Sequence, residues 1–101
     1  MPAEYLVKIT PSAEQDFEDI FDFIAQDNLK KAEDFILEIE NKISTLERFP
    51  QRCPFVPEKE FLNFPYRHLL HKNYRFIFFI EENIIYVLRI LHGKRLWKKG
   101  D

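Results

Sequence analysis

The sequence predicts an α+β fold in which a hairpin of two helices packs on one face of a small antiparallel sheet, in the order β-α-α-β-β-β. Two observations carry this prediction. Apolar residues recur every three or four positions between about residues 12 and 49, as on amphipathic helices, and every second position from residue 66 onward, as on strands. The turns between successive helices and between successive late strands are very short, which makes those neighbours antiparallel.

The first strand is predicted over residues 4–9, where apolar and polar side chains alternate. An amphipathic helix follows at about 12–27, and Ser12 with Gln15 has the form of a capping box at its start. An Asp-Asn pair breaks this helix. A second helix with a continuous apolar stripe then covers about 29–49 and ends before a proline.

A connector over residues 50–65 separates the helices from the later strands. It contains four prolines and three phenylalanines, so it is too rich in proline for a helix and too aromatic for a disordered linker. Strands are predicted over 66–72, 74–81 and 84–91, with polar two-residue turns between them. These three strands form an antiparallel meander.

The size and composition of the chain restrict its class. A chain of 101 residues supports one hydrophobic core and predicts a single domain over 1–101. Apolar runs such as Phe76 to Ile80 are far shorter than the ~20 residues of a transmembrane helix, and no signal peptide is recognisable, so no membrane contact is expected. The lone Cys53 allows no intrachain disulfide and favours the cytoplasm.

The helices can cover only one face of the predicted sheet. The other face mixes apolar side chains with arginine, in the set Arg75, Ile77, Phe79, Val87 and Arg89. Such a mixture is typical of interaction sites, so this face is predicted to be partly exposed and to bind another molecule. The alternative is that the proline-rich connector folds over it.

Charge is distributed unevenly along the chain. The net charge is −2, but residues 1–65 hold seven Lys and Arg against fourteen Asp and Glu, while 66–101 hold eight against three. The basic residues of the last third lie among aromatic ones, in the set Arg67, Arg75, Arg89, His92, Lys94, Arg95, Trp97, Lys98 and Lys99. Such a set suits contact with phosphates and bases, although Lys94 to Lys99 is equally consistent with a solvated tail.

Cleavage of RNA is one chemistry that this basic set would support. Arg75 and Arg95 would stabilise the phosphate in the transition state, and His92 would act as the general base or acid. No metal site is predicted, because His68 and His71 point to opposite faces of a strand. No cofactor is expected either, since two glycines cannot build a phosphate-binding loop.

The element order and two motifs resemble the RelE/ParE superfamily of toxins from type II toxin–antitoxin systems. The motifs are Tyr-Arg-Phe-Ile-Phe at 74–78 and Val-Leu-Arg-Ile-Leu-His-Gly-Lys-Arg at 87–95. The resemblance implies a bacterial toxin that inhibits growth, as in plasmid stabilisation, and a cognate antitoxin that wraps around it. The ParE branch implies DNA gyrase as the target. The RelE branch implies cleavage of messenger RNA on the ribosome by Arg75, Arg95 and His92.

The ParE-like interpretation is favoured, because the ending at 91–95 is closer to that branch and residues 96–101 lack the tyrosine that many RelE-like RNases use. A ribosome-dependent RNase and a non-toxic interaction module remain as alternatives. The residues predicted to bind the antitoxin or the target are Arg67, Arg75, Ile77, Phe79, Arg89, Lys94, Arg95 and Trp97. The antitoxin is expected to cover the sheet face or the groove beside the helical hairpin, pairing its acids with Arg75 or Arg89.

Overall fold

A computed structural model describes residues 4–61 and 63–98, so Lys99 of the basic set lies outside the described residues. The helices and strands are β1 (Leu6–Ile9), α1 (Pro11–Asp27), α2 (Leu29–Thr45), β2 (Arg67–His71), β3 (Tyr74–Glu81) and β4 (Ile84–His92). Two short 3-10 turns lie in the connector, at Pro50–Arg52 and Lys59–Phe61. The predicted α+β class and element order are confirmed. None of the described helices is long and apolar enough to cross a membrane.

The four strands form one sheet in the order β1-β4-β3-β2. The predicted meander is confirmed, because β2 and β4 both pair antiparallel with β3. The expectation of a wholly antiparallel sheet needs correction, since β1 pairs parallel with β4 and the sheet is mixed. A short turn dictates the relative direction of two neighbouring strands, but the helical hairpin, the connector and two strands lie between β1 and β4.

Thr10, rather than the predicted Ser12, caps α1. Its Oγ1 accepts from the backbone N–H of Ala13 at 3.3 Å and donates to the carbonyl of Leu88 at 3.0 Å. Pro11 takes the first helical position, where the missing N–H costs nothing. The cap therefore also ties the start of α1 to β4.

Asn28 joins the two helices by itself. Its backbone N–H donates to the carbonyl of Ile24 at the end of α1, and its Oδ1 accepts from the N–H of Lys31 in the first turn of α2. One residue thus ends the first helix and caps the second. This explains why the helical hairpin needs almost no loop.

The main core lies between the helical hairpin and one face of the sheet. The helices contribute Ala13, Phe35 and Ile39, followed by Leu46, and the strands contribute Leu69, Phe76, Phe78, Ile85, Val87 and Ile90. Val87 was predicted on the opposite face. The register shifts between Ile77 and Phe78, which pair with Arg89 and Val87, so β4 carries a bulge that breaks its alternation.

The opposite face of the sheet is covered rather than exposed. Ile77 is fully buried in a second cluster with Val56, Leu91 and Trp97. Backbone hydrogen bonds hold the connector against β2, from the N–H of Val56 to the carbonyl of Tyr66 and from His68 to Pro54. The predicted exposure is therefore wrong for Arg75 and Ile77, which are buried, and the alternative that the connector folds over this part of the face is confirmed, whereas Phe79 is half-buried.

Candidate functional site

A buried ion pair lies at the centre of the covered face. Arg75 points from β3 into the second cluster and is 5% exposed. Its Nη1 donates to Glu58 Oε1 at 3.1 Å, and its Nη2 donates to Glu58 Oε2. Both forks of the guanidinium are thus engaged by one carboxylate, which is the strongest geometry that an arginine makes with an acid.

The same ion pair ties three parts of the chain together. Glu58 Oε2 also accepts from the backbone N–H of Trp97 at 2.9 Å, and Arg75 Nη2 donates to the carbonyl of Arg95 at 3.4 Å. Arg75 Nη1 lies 3.3 Å from Nδ1 of His68 on β2. The connector, strands β2 and β3 and the C-terminal segment therefore meet at this pair.

The surroundings shift the pKa of both titratable neighbours of Arg75. Burial raises the pKa of Glu58, but its bonds from Arg75 and from the N–H of Trp97 outweigh burial, so the net shift is downward. The pKa of His68 is lowered first by burial and then by the charge of Arg75, against a smaller opposing effect of Glu58. His68 is therefore held neutral and accepts at Nδ1.

We expect the protein to lose stability in two stages as the pH falls. Unfolded His68 takes up a proton near its ordinary pKa of 6.5 while the folded form resists, so stability declines below that pH. The contribution of Glu58 is present above its ordinary value of 4.5 and is lost as the pH falls through its lower folded pKa. Urea denaturation of wild type and His68→Gln at pH 5 to 7 measures the first stage.

The matched control is His92→Gln, because His92 is exposed. As the pH falls from 7 to 5, the free energy of unfolding should decrease more for wild type than for His68→Gln. The His92→Gln variant, which keeps His68, should lose stability as wild type does. A His68→Gln curve parallel to that of wild type would contradict the assignment.

Arg89 forms a second ion pair on the helical side of the sheet. Its Nε lies 2.7 Å from Asp16 Oδ2 and its Nη2 lies 3.0 Å from Oδ1. The N–H of Ile90 donates to the same carboxylate at 2.9 Å. Arg89 thus connects the sheet to α1 instead of standing beside Arg75 as predicted, although it pairs with Ile77 in the register of the sheet.

The three predicted catalytic residues are not brought into one site. His92 and Arg95 line a hollow with Tyr74 and Asp19, and the rings of Tyr74 and His92 meet edge to face at 5.7 Å. Arg75 does not line this hollow, since its side chain is enclosed on the opposite face of the sheet.

The turn after β4 explains the glycine of the C-terminal motif. The N–H of Gly93 donates to the carbonyl of Asn73 at 2.6 Å, and a Cβ at this position would lie 3.3 Å from that oxygen. A side chain at this position would therefore crowd that carbonyl. Gly93 thus places His92 and Lys94 at the same end of the sheet as the β2–β3 turn.

The remaining predicted binding residues differ in accessibility. Lys94 is exposed, whereas Trp97 is 6% exposed and stacks on Phe61 at a ring distance of 3.9 Å. Arg67 donates to the carbonyl of Cys53 at 2.7 Å, and its guanidinium lies 4.1 Å from the ring centre of Phe55. Half-buried Phe79 stacks on Tyr86. Arg67 and Trp97 thus hold the connector and the C-terminal segment in place.

Other chemistry at the described residues is limited. Cys53 is buried, and burial raises the pKa of its thiol, which disfavours the thiolate that a nucleophile needs. Among residues 4–61 and 63–98, no group of three His, Cys, Asp or Glu side chains is placed to hold a metal ion.

A groove that the sequence interpretation left without detail lies where the helical hairpin meets strands β1 and β4. It follows the seam between the two helices, with an apolar floor and only acidic residues among its charged lining. A signal for it exists in the sequence, because α1 contains six acidic residues and no lysine or arginine.

Comparison with known proteins gives two findings. A family model described as the ParE toxin of type II toxin-antitoxin systems, parDE, matches residues 7–97. Ten chains of solved structures are similar, among them one described as a chromosomal ParDE TA system from P. aeruginosa. That chain is 20% identical with a TM-score of 0.71, and the match covers 91% of this chain and 99% of the other. No curated protein matches the sequence.

Proposed function

The chain belongs to the ParE toxin family of type II toxin–antitoxin systems, and from this premise we propose that it inhibits growth by binding a protein target, with DNA gyrase as the first candidate. We further propose that a cognate antitoxin neutralises it and that both act in the cytoplasm. Plasmid or chromosome maintenance would follow from such a pair.

The state of Arg75 supports binding over RNA cleavage. An arginine that stabilises a phosphate in the transition state must present its N–H groups to that phosphate. Arg75 is buried, and both of its forks already donate to Glu58. A phosphate would have to displace a buried carboxylate and open the second cluster, which costs several kcal/mol.

The charge of the molecule supports the same preference. Affinity for nucleic acid rises with the number of phosphates that lysine and arginine neutralise. The net charge here is −2, and Arg75 and Arg89, two of the basic residues in the last third, are paired with acids of the same chain. Binding to a protein target does not require a large positively charged surface.

Controlled expression in a bacterial host, followed by a supercoiling assay with the purified protein, tests this proposal. We expect expression to stop growth, co-expression of the antitoxin to restore it, and micromolar protein to inhibit supercoiling by gyrase. Unchanged supercoiling would refute gyrase as the target, and unchanged growth with a correctly folded protein would favour the non-toxic interaction module.

A ribosome-dependent RNase is the second candidate, because His92 and Arg95 share one hollow with Tyr74. Primer extension on translated messages would then show cleavage that Arg95→Ala or His92→Ala abolishes. These variants serve better than Arg75→Ala, whose loss of activity would also follow from unfolding. Intact messages in growth-arrested cells would exclude this candidate.

A further inference from the structure

The connector carries a hollow of about 320 Å³, which we call the connector pocket. Four aromatic rings line it, those of Phe55, Phe61, Phe64 and Tyr66. Phe61 and Tyr66 also pack against the second cluster, so the pocket lies on the side of the sheet opposite the helical hairpin. It is therefore separate from the groove that the two helices line.

The rings of the connector pocket are held in place by the fold and are still accessible. The guanidinium of Arg67 lies 4.1 Å from the ring centre of Phe55. Phe64 lies against Tyr66 at a ring distance of 4.4 Å and meets Phe79 edge to face at 5.7 Å. Phe55 nevertheless remains 55% exposed and Phe64 47% exposed. Because these rings are already packed on one side, they lose little conformational freedom when another molecule covers them.

The charge and polarity of the connector pocket restrict what it binds. None of the described residues that line it is charged. An occupant that brought a charge into this pocket would give up its hydration without gaining an ionic partner. The amide of Asn63 and the hydroxyl of Tyr66 have no hydrogen-bond partner in the described part of the chain. Both groups can donate to a carbonyl oxygen of an occupant, so the pocket fits an uncharged segment with free carbonyls.

The backbone around the connector pocket restricts the conformation of that segment. An α-helix uses its carbonyls internally. A strand cannot be added beside the pocket, because the connector already bonds the start of β2, from Val56 N–H to the carbonyl of Tyr66 at 3.0 Å and from His68 N–H to that of Pro54 at 3.1 Å. A polyproline II segment has no internal hydrogen bonds and keeps its carbonyls free. Aromatic-lined grooves are the surfaces that recognise such segments.

Single-stranded nucleic acid also stacks on aromatic rings, but its backbone requires a positively charged path along the protein. The described lining of the connector pocket contains no lysine or arginine, and exposed Glu60 adjoins Phe61 in the chain. The pocket therefore favours a protein segment over nucleic acid.

We propose that the connector pocket binds an uncharged, proline-containing segment of the toxin's protein target, in the polyproline II conformation. That the occupant belongs to the target rests on the proposed function, whereas its chemistry rests on the lining of the pocket. The fixed rings would receive the proline side chains, and Asn63 and Tyr66 would donate to the carbonyls between them. The target would thus contact the side of the toxin that faces away from the helices.

A synthetic peptide tests the chemistry of the occupant without the target. The probe is a labelled repeat of Pro-Pro-Ala, and its uncharged control is a repeat of Ser-Ser-Ala. Fluorescence anisotropy measures the dissociation constant. Trp97, the only tryptophan of the chain, stacks on Phe61, so a change in its emission places the peptide at the pocket. We expect the proline peptide to bind at least about tenfold more tightly than the control, and no binding or equal binding would overturn the proposal.

Two phenylalanine variants separate the connector pocket from exposed aromatic surface in general. Phe64→Ala removes one ring of the pocket, and Phe49→Ala removes a ring that is 59% exposed and lies outside the described lining. Affinity for the proline peptide should fall at least about tenfold in Phe64→Ala and less than about twofold in Phe49→Ala. Equal losses of affinity would contradict the proposal.

A charge placed at the pocket tests the same point with all four rings intact. Asn63→Asp exchanges an amide donor for a carboxylate, and Asn41→Asp makes the same change of charge on the exposed surface of α2. Only Asn63→Asp should weaken binding of the proline peptide, by at least about fivefold. Sedimentation of the free protein tests another occupant: if wild type self-associates and Phe64→Ala does not, a second copy of this chain fills the pocket and the proposal is wrong.

Growth assays test whether the occupant belongs to the target. Phe64→Ala and Asn63→Asp should lose toxicity but bind the antitoxin as wild type does, whereas Phe49→Ala and Asn41→Asp should remain toxic. If the pocket variants remain toxic, the pocket does not bind the target and the proposed occupant is wrong, although the proposed function still stands. If they remain toxic and no longer bind the antitoxin, the occupant is the antitoxin instead. A wild type without toxicity would refute the proposed function, and the peptide result would stand independently.

Discussion

Replacing Glu58 with alanine is expected to lower the free energy of unfolding by about 3–5 kcal/mol, because the change leaves the guanidinium of Arg75 buried without its carboxylate. The N–H of Trp97 loses its acceptor at the same time. Domains of this size are stabilised by only about 5–15 kcal/mol, so the variant should lose a large share of its stability. Urea denaturation at pH 7 measures the difference.

The exposed neighbour Glu60 provides the matched control, and Glu60→Ala should change stability by less than about 0.5 kcal/mol. A double variant, Glu58→Leu with Arg75→Met, should recover much of the loss, since a buried ion pair replaced by apolar side chains is often neutral. A Glu58→Ala protein as stable as Glu60→Ala would show that the pair contributes little. The double variant also separates an ionic role of Arg75 from its volume in the second cluster.

Trp97→Ala is expected to destabilise the protein by about 3–5 kcal/mol, the range for removing a large aromatic side chain from a core. Trp97 is 6% exposed, stacks on Phe61 at 3.9 Å and meets Tyr66 edge to face at 4.8 Å. Its removal would leave a cavity between the C-terminal segment and the sheet. Thermal or urea unfolding measures the loss.

Leu96 is the adjacent control, because 65% of it is exposed. Leu96→Ala should leave the free energy of unfolding within about 0.5 kcal/mol of wild type. From the sequence, Trp97 is predicted to bind the antitoxin or the target. That assignment would gain support if Trp97→Ala weakened binding while its unfolding curve matched that of Leu96→Ala, which would contradict the structural role argued here.

The elements of this fold were predictable because their signals are local. The change of apolar period near residue 66 and the two-residue turns gave the order of helices and strands, and β3 begins and ends where the alternation predicts. Asn28 serves as a cap of both helices at the predicted break. The cap at Thr10 escaped prediction because Ser12 and Gln15 offered an equally plausible local pattern.

The predicted site was less accurate than the fold, and Arg75 and Arg89 show why. Alternation places both arginines on one face, but β4 carries an extra residue and the Arg89 side chain bonds Asp16 on α1. Nothing in the local sequence of β4 marks this bulge. The second face is covered because the connector packs against it, which depends on contacts between distant residues. The aromatic composition of the connector indicated only that this segment is not a disordered linker.

Periodicity, turn length and motif spacing act between residues close along the chain, and for this reason the class of fold, the helical hairpin, the meander and the family resemblance could be predicted from them. Which charges are consumed in ion pairs within the chain became visible only in the folded molecule. Arg89 meets an acid 73 positions away and Arg75 meets one 17 positions away. Such pairs form only after packing has brought distant segments together.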